Sequence, residues 1–184
     1  MKEEKILERC KAGEEKAYSE LYRRYAPKMF GVCMRYAKSK EEAEDMLQEG
    51  FIRLFKNIHS YENRGSFEGW IRRIIVNTAI NYYKTQIKYN KTEHIDAYNK
   101  DLEETDDESI TVSDISQQKL LEMITELPKG YKMVFNMYVL DGFTHKEIAS
   151  ILDISENTSK SQLSKARKLL QKKITNYRIK KEKI

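Results

Sequence analysis

The side chains of this 184-residue chain best suited to chemistry are cations and amides set among aromatic rings. Between Arg72 and Lys91 there is no acidic residue. Plotted at about 100° per residue, Arg73, Asn77, Asn81, Lys84 and Lys88 fall in one stripe. Ile71, Ile75, Thr78 and Tyr82 fall on the other side. Trp70, Tyr82, Tyr83 and Tyr89 are interleaved with the bases. Such a mixture suits an unstacked single strand, because a base can lie on a ring while Lys or Arg meets the phosphate. An ordinary exposed helix face would carry the same stripe, and Trp70 alone fits core packing.

A second set lies in residues 144–170. Thr144-His145-Lys146-Glu147 has the form of a capping box, followed by Ile148, Ala149 and Leu152 as the buried face of a two-turn helix. Asp153-Ile154-Ser155 makes a turn, and a second helix starts near Glu156. With the small Ala149 at the crossing, this is a helix-turn-helix pattern. The second helix offers Asn157, Thr158, Lys160, Ser161, Gln162, Ser164, Lys165 and Arg167, donors able to touch bases and phosphates in a major groove. From Lys160 onward there are ten basic residues and one acid, Glu182, so duplex binding would be strongly salt-dependent. A solvated basic C-terminal face is the plainer alternative.

A third set is acidic. The helix expected over residues 41–57 buries Ala43, Met46, Leu47, Gly50, Phe51 and Leu54 and turns Glu42, Asp45, Gln48 and Glu49 outward. That face is either solvated or a docking surface for a basic partner. Enzyme chemistry finds little support: no phosphate loop or nucleophile elbow occurs, and His59, His94 and His145 are isolated. No cofactor or metal is expected.

These sets must be held by helices, since no useful strand alternation occurs and there are only 7 Gly and 2 Pro. Ala17, Leu21, Tyr25, Met29, Phe30 and Cys33 recur at helical spacing, with Pro27 near a kink or start. Ser39-Lys40-Glu41-Glu42 is a capping-box pattern that opens the acidic-faced helix. A third helix runs from near Ser66 to about Lys88. Leu120, Ile124 and Leu127 form an apolar stripe ended by Pro128, and Val134, Phe135, Tyr138 and Val139 form another ended by Asp141-Gly142.

Charge divides the chain: residues 1–88 carry 18 basic and 13 acidic groups, 89–115 carry 2 and 9, and 116–184 carry 14 and 7. The expected organisation is therefore a helical domain over 1–90, an acidic flexible linker over 91–115 and a helix-turn-helix domain over 116–184. No run of about 20 apolar residues is present, so membrane insertion is not expected. Cys10 and Cys33 have no clustered partners, and the N-terminus lacks an apolar signal region, which points to buried thiols in a reducing cytoplasm.

The order of parts resembles the extracytoplasmic-function group of bacterial sigma factors: Ala43-Glu44-Asp45 on an acidic helix, then residues 65–79 from Gly65-Ser66-Phe67 through Trp70-Ile71-Arg72-Arg73 to Asn77-Thr78-Ala79, then a linker and a helix-turn-helix. The resemblance covers about residues 10–175. It implies an all-α protein that joins core RNA polymerase, reads the −35 and −10 promoter elements and helps to melt the latter. Glu41, Glu42, Asp45, Gln48 and Glu49 would meet the polymerase clamp helices. Arg64, Ser66, Phe67, Trp70, Arg72, Arg73, Asn77, Asn81 and Lys84 would receive the melted non-template strand at −10. Residues 155–169 would be the −35 reading helix, with Thr144, Asn157, Thr158, Lys160, Ser161, Gln162, Ser164, Lys165 and Arg167 on duplex DNA, and the preceding helices would touch the polymerase flap. An anti-sigma protein is a further partner the resemblance admits.

Three departures from the family pattern are visible. Asp153 stands where Gly is frequent, and Asp accepts a left-handed conformation more readily than most residues. Ser159 stands where an apolar residue is favoured, which is expected to loosen packing. Gln162 stands where Arg is favoured, which leaves base preference open. Two other classes compete: a free-standing helix-turn-helix regulator, which would bind a palindrome tightly without polymerase, and a recombinase-like enzyme, which would need Mg-dependent cleavage.

Overall fold

The computed structural model describes residues 3–89 and 114–181, with side chains up to residue 86 in the first stretch. The acidic stretch 91–113 and the side chains of Lys88 and Tyr89 lie outside the described residues. Among the described residues every regular element is a helix, with no strand, and the chain divides into two compact units, residues 1–89 and 90–184.

In the first unit, α1 (Glu3–Lys11) and α2 (Glu15–Tyr36) precede α3 (Lys40–Lys56), a single 3-10 turn (Ile58–Ser60) and α4 (Phe67–Tyr89). Helix α2 runs unbroken through Pro27 instead of starting or stopping there. Pro27 lies on the exposed side, where the carbonyl it cannot bond is open to water. Helices α2, α3 and α4 pack on one another in all three pairings. Leu21, Met29 and Cys33 of α2, Met46 and Leu54 of α3, and Ile71, Ile75 and Ala79 of α4 are buried in the core. The apolar stripe expected on α3 is buried at every position, from Ala43 to Leu54. Gly50 allows α4 to approach closely: a Cβ built there would stand 2.4 Å from Ile75 Cδ1.

The cap of α3 differs from a full capping box. Ser39 Oγ accepts the Glu42 N–H at 3.2 Å, but the Glu42 carboxylate accepts the N–H of Lys38, one residue upstream of the cap. Both thiols are buried, and burial pushes Cys33 up to about 12 and Cys10 to about 11.

In the second unit, α5 (Gln117–Thr125), α6 (Lys129–Phe135) with a π-helical turn (Asn136–Leu140), and α7 (His145–Leu152) each pack on α8 (Glu156–Lys181). Met123, Ile124, Leu127 and Tyr131 close on Ala166, Leu170 and Ile174. The second apolar stripe is corrected by the π turn. The extra residue in that turn shifts the helical phase, so Met133, Val134, Asn136 and Met137 point inward while Tyr138 and Val139 are exposed. Of Ile148, Ala149 and Leu152, expected as the buried face of α7, only Ile148 is fully buried; Ala149 and Leu152 are half-buried. No described helix is long and apolar enough to cross a membrane.

Candidate nucleic-acid interface

The single-strand candidates sit on α4 and the loop before it. Asn63 (φ 57) and Gly65 (φ 84) give the loop two left-handed residues, and the Tyr61 hydroxyl donates to the Gly65 carbonyl at 2.8 Å. Lys11 Nζ donates to the Tyr61 carbonyl at 3.0 Å, tying the loop to α1. Ser66 Oγ accepts the Gly69 N–H at 3.1 Å, so its hydroxyl satisfies one of the free donors at the start of α4.

Phe67 does not face solvent. It is 2% exposed, 5.0 Å from the Tyr61 ring and edge-on to Tyr25 at 5.9 Å. Its expected contact with DNA is therefore corrected to a packing role, since a ring enclosed on these sides has no face left for a base. Trp70 stacks on Phe67 at 5.8 Å and 17° and is half-buried, so Phe67 supports the one ring of the pair that solvent reaches. Arg64 is exposed and lies 3.1 Å from Glu62.

The stripe on α4 is laid out as its spacing predicts. Arg73, Asn77, Asn81 and Lys84 are exposed, whereas Ile71, Ile75 and Thr78 are buried. Arg72 is half-buried and engaged within the fold. Thr78 Oγ1 donates to the Ile74 carbonyl at 2.9 Å, which makes its burial tolerable. Tyr82 and Tyr83 are half-buried beside the row, and burial raises the Tyr83 phenol to about 12.

On α3, Glu41, Asp45, Gln48 and Glu49 are exposed, with Glu49 held by Arg53 at 2.8 Å. Glu42 is different: its carboxylate takes the Gln86 amide of α4 as well as the Lys38 N–H, so it fastens α3 to α4 and is not free for docking. Sequence reasoning missed Ile52, 43% exposed and on the Asp45–Gln48 side at helical spacing, and Tyr22, 40% exposed and edge-on to Phe51. Exposed apolar groups flanking an acidic row are the signal that could have found them.

In the second unit the turn has the expected geometry. Thr144 and Glu147 form a full capping box, with the Glu147 N–H on Thr144 Oγ1 at 3.2 Å and the Thr144 N–H on Glu147 Oε2 at 2.8 Å. Thr144 is thereby committed to starting α7. Asp153 closes α7 at φ 57, ψ 50, the left-handed conformation expected of it. Ser155 Oγ caps α8 by accepting the Thr158 N–H at 2.9 Å and pairs with Thr158 Oγ1 at 2.8 Å.

Along α8, Asn157, Lys160, Ser161, Ser164 and Arg167 are exposed on one face, and Lys165 is half-buried. Gln162 belongs to the opposite side. It is 5% exposed, and its amide lies where a Cβ on Gly130 of α6 would be 3.3 Å away. Its expected DNA contact is corrected: α6 covers it. Ser159, expected to loosen packing, is 0% exposed, with its Oγ 2.9 Å from His145 Nδ1. Beyond residue 170, Arg178 forks onto Asp114 at 2.7 and 3.0 Å, and Lys173 pairs with Glu126, so these two cations serve the fold.

Comparison with known proteins follows this division. Residues 21–88 match the family profile "Sigma-70 region 2", and residues 117–170 match "Sigma-70, region 4". The ECF RNA polymerase sigma-E factor of Haemophilus influenzae is 32% identical over 177 residues, covering 92% of this chain and 93% of that protein. The sigma-E factor of Escherichia coli K12 is 29% identical, covering 92% of each. Among solved structures, the sigma factor RpoE of Bartonella quintana, crystallised with the anti-sigma factor NepR, is similar in fold with a TM-score of 0.50 at 17% identity, covering 87% of this chain and 98% of that one.

Proposed function

The chain belongs to the extracytoplasmic-function group of RNA polymerase sigma factors, which direct promoter-specific transcription initiation, and from that premise we propose which of its surfaces does what. The first unit docks on the polymerase clamp through the exposed α3 face, Glu41, Asp45, Gln48 and Glu49, with Ile52 and Tyr22 beside it. It receives the melted non-template strand at −10 on Arg64, Trp70, Arg73, Asn77, Asn81 and Lys84. The second unit reads the −35 duplex with Asn157, Lys160, Ser164 and Arg167 of α8, while its preceding helices meet the flap. The acidic stretch 91–115 joins the two.

The supporting observation is the α4 row: four polar residues exposed in register on an acid-free segment whose other side is core. Unstacking a base costs a few kcal/mol, and a stacking ring with adjacent amide donors offsets that cost without hydrolysis or a metal. The chain supplies recognition and strand capture, and the polymerase supplies catalysis. A partner of the anti-sigma class, as NepR is for the Bartonella protein, would compete for these surfaces.

The test is a fluorescence-anisotropy titration of the labelled full chain with core RNA polymerase, repeated with Asp45→Lys. Tight binding weakened at least tenfold in the variant, about 1.4 kcal/mol, is the expected result. Absence of binding, or equal binding by both proteins, overturns the docking assignment.

A further inference from the structure

His145 has no histidine or cysteine near it in sequence, yet the fold places it in a clasp. Its Nδ1 is 2.9 Å from the Oγ of Ser159, which lies 14 residues on in α8. Its ring stacks on Tyr138 of the π turn at 4.3 Å and 21°. Ser159 is fully buried, and its hydroxyl lies within hydrogen-bond distance of the imidazole. With one nitrogen and one face taken, Nε2 is the remaining polar atom of a half-buried ring. The charges that act on this ring come from α8: Lys160 and Arg167, both on the exposed row, and Glu156 at the helix start.

The clasp is compatible with an Nε2–H donor in either charge state. In the neutral Nε2–H tautomer the Ser159 hydroxyl donates to Nδ1. In the imidazolium, Nδ1–H donates to Ser159 Oγ, and Nε2 again carries a proton. The first helix of a helix-turn-helix crosses the DNA backbone, and His145 is the first residue of α7. Resting on the assignment of α7 and α8 as the duplex reader, we propose that His145 is a phosphate-binding residue of that reader, its Nε2–H donating to a backbone phosphate oxygen, and that Ser159 is its positioning residue.

Protonation then couples to DNA. In the free protein, burial first and then Lys160 and Arg167 disfavour the imidazolium, with Glu156 opposing them. A phosphate at Nε2 opposes that balance, so binding is linked to proton uptake at His145.

The experiment is anisotropy of the full chain on a labelled mixed-sequence duplex at low salt, between about pH 6 and pH 8. Affinity of the wild type rises as pH falls, by up to about tenfold per pH unit, the limit for one linked proton. His145→Gln, which cannot take up the proton, loses the slope. Ser159→Ala loses both slope and affinity. Equal pH slopes in wild type and His145→Gln overturn the inference, as does wild-type binding that depends on salt but not on pH. No duplex binding at any pH or salt overturns the duplex-reader assignment itself, and this inference with it. Should the variants fail to fold, the imidazole nitrogen resonances of the wild type decide: those of His145 move toward the imidazolium pattern on adding duplex, and unmoved resonances refute the contact.

Discussion

Gly50 sets the distance between the helix that carries the acidic face and the helix that carries the polar row, and replacing it tests that spacing. In Gly50→Ala the new methyl stands 2.4 Å from Ile75 Cδ1 and 3.6 Å from its Cγ1, and Ile75 is 0% exposed. Forcing a buried side chain off its packed rotamer costs about 1–3 kcal/mol, whereas Ala in place of Gly inside a helix returns about 1 kcal/mol. The single variant is therefore destabilised by about 0–2 kcal/mol. Ile75→Val removes the clashing Cδ1 and alone costs about 0.5–1.5 kcal/mol for the space left behind. Combined, each change relieves the other, because the new methyl fills what Cδ1 vacated. The double variant should unfold within about 0.5 kcal/mol of wild type, a coupling of about 1–3 kcal/mol. The assay is fluorescence through a denaturant titration. Trp70 is the sole tryptophan and lies in α4, so the signal follows the first unit without the second. Additivity of the two substitutions, or a raised midpoint for Gly50→Ala alone, would refute the close-approach argument.

Three other outcomes follow from the same reasoning. Phe67→Ala lowers the stability of the first unit by about 3–5 kcal/mol, while Asn77→Ala stays within about 0.5 kcal/mol and instead weakens capture of a non-template-strand oligonucleotide by the holoenzyme; paired denaturation and binding curves check both. Lys160→Ala and Arg167→Ala each reduce the slope of log affinity against log salt on duplex DNA by about 0.9, and Gln162→Ala leaves that slope unchanged, as anisotropy at several salt concentrations would show. In the DNA-free chain, burial lowers the His145 pKa below its ordinary 6.5. The unfolded state then binds the proton more readily, so the second unit keeps this stability above about pH 6.5 and loses it as pH falls through the folded value. A thermal midpoint of that unit that does not change on acidification contradicts this, provided His145→Gln is equally insensitive.

What the sequence made legible was whatever a single helix determines by its own period. The α3 stripe from Ala43 to Leu54, the α4 row from Arg73 to Lys84 and the left-handed Asp153 each depend on local spacing or local backbone preference, and each lies where that spacing puts it. What failed depended on a second element. Phe67 looked accessible because it follows an exposed loop, yet α2 and the Tyr61 loop close over it. Glu42 sat on an acidic face, but its helix is crossed there by Gln86. Gln162 and Ser159 lay among donors on α8, and α6 and His145 claim them. The π turn moved Tyr138 and Val139 outward by a phase shift that apolar spacing does not record.

The burial of Gln162 and Ser159 also narrows what α8 can read. An amide or a guanidinium can bind a base edge with two hydrogen bonds, to adenine or guanine respectively. With Gln162 covered, Asn157 is the one exposed amide at the N-terminal end of α8, the end a reading helix presents to base edges. Its neighbours are less available: Thr158 Oγ1 pairs with Ser155, and the Ser161 hydroxyl donates to the Thr158 carbonyl at 3.0 Å. Asn157→Ala should therefore relax the −35 preference at one base pair, with a loss of about 1–3 kcal/mol on the preferred base and little on the others. Arg167→Ala, two to three turns further along, should weaken all sequences more evenly if it serves a phosphate. Sequencing of randomised −35 duplexes selected by the holoenzyme measures both. Uniform weakening by Asn157→Ala, with every position equally specified, would show that base recognition lies elsewhere on the helix.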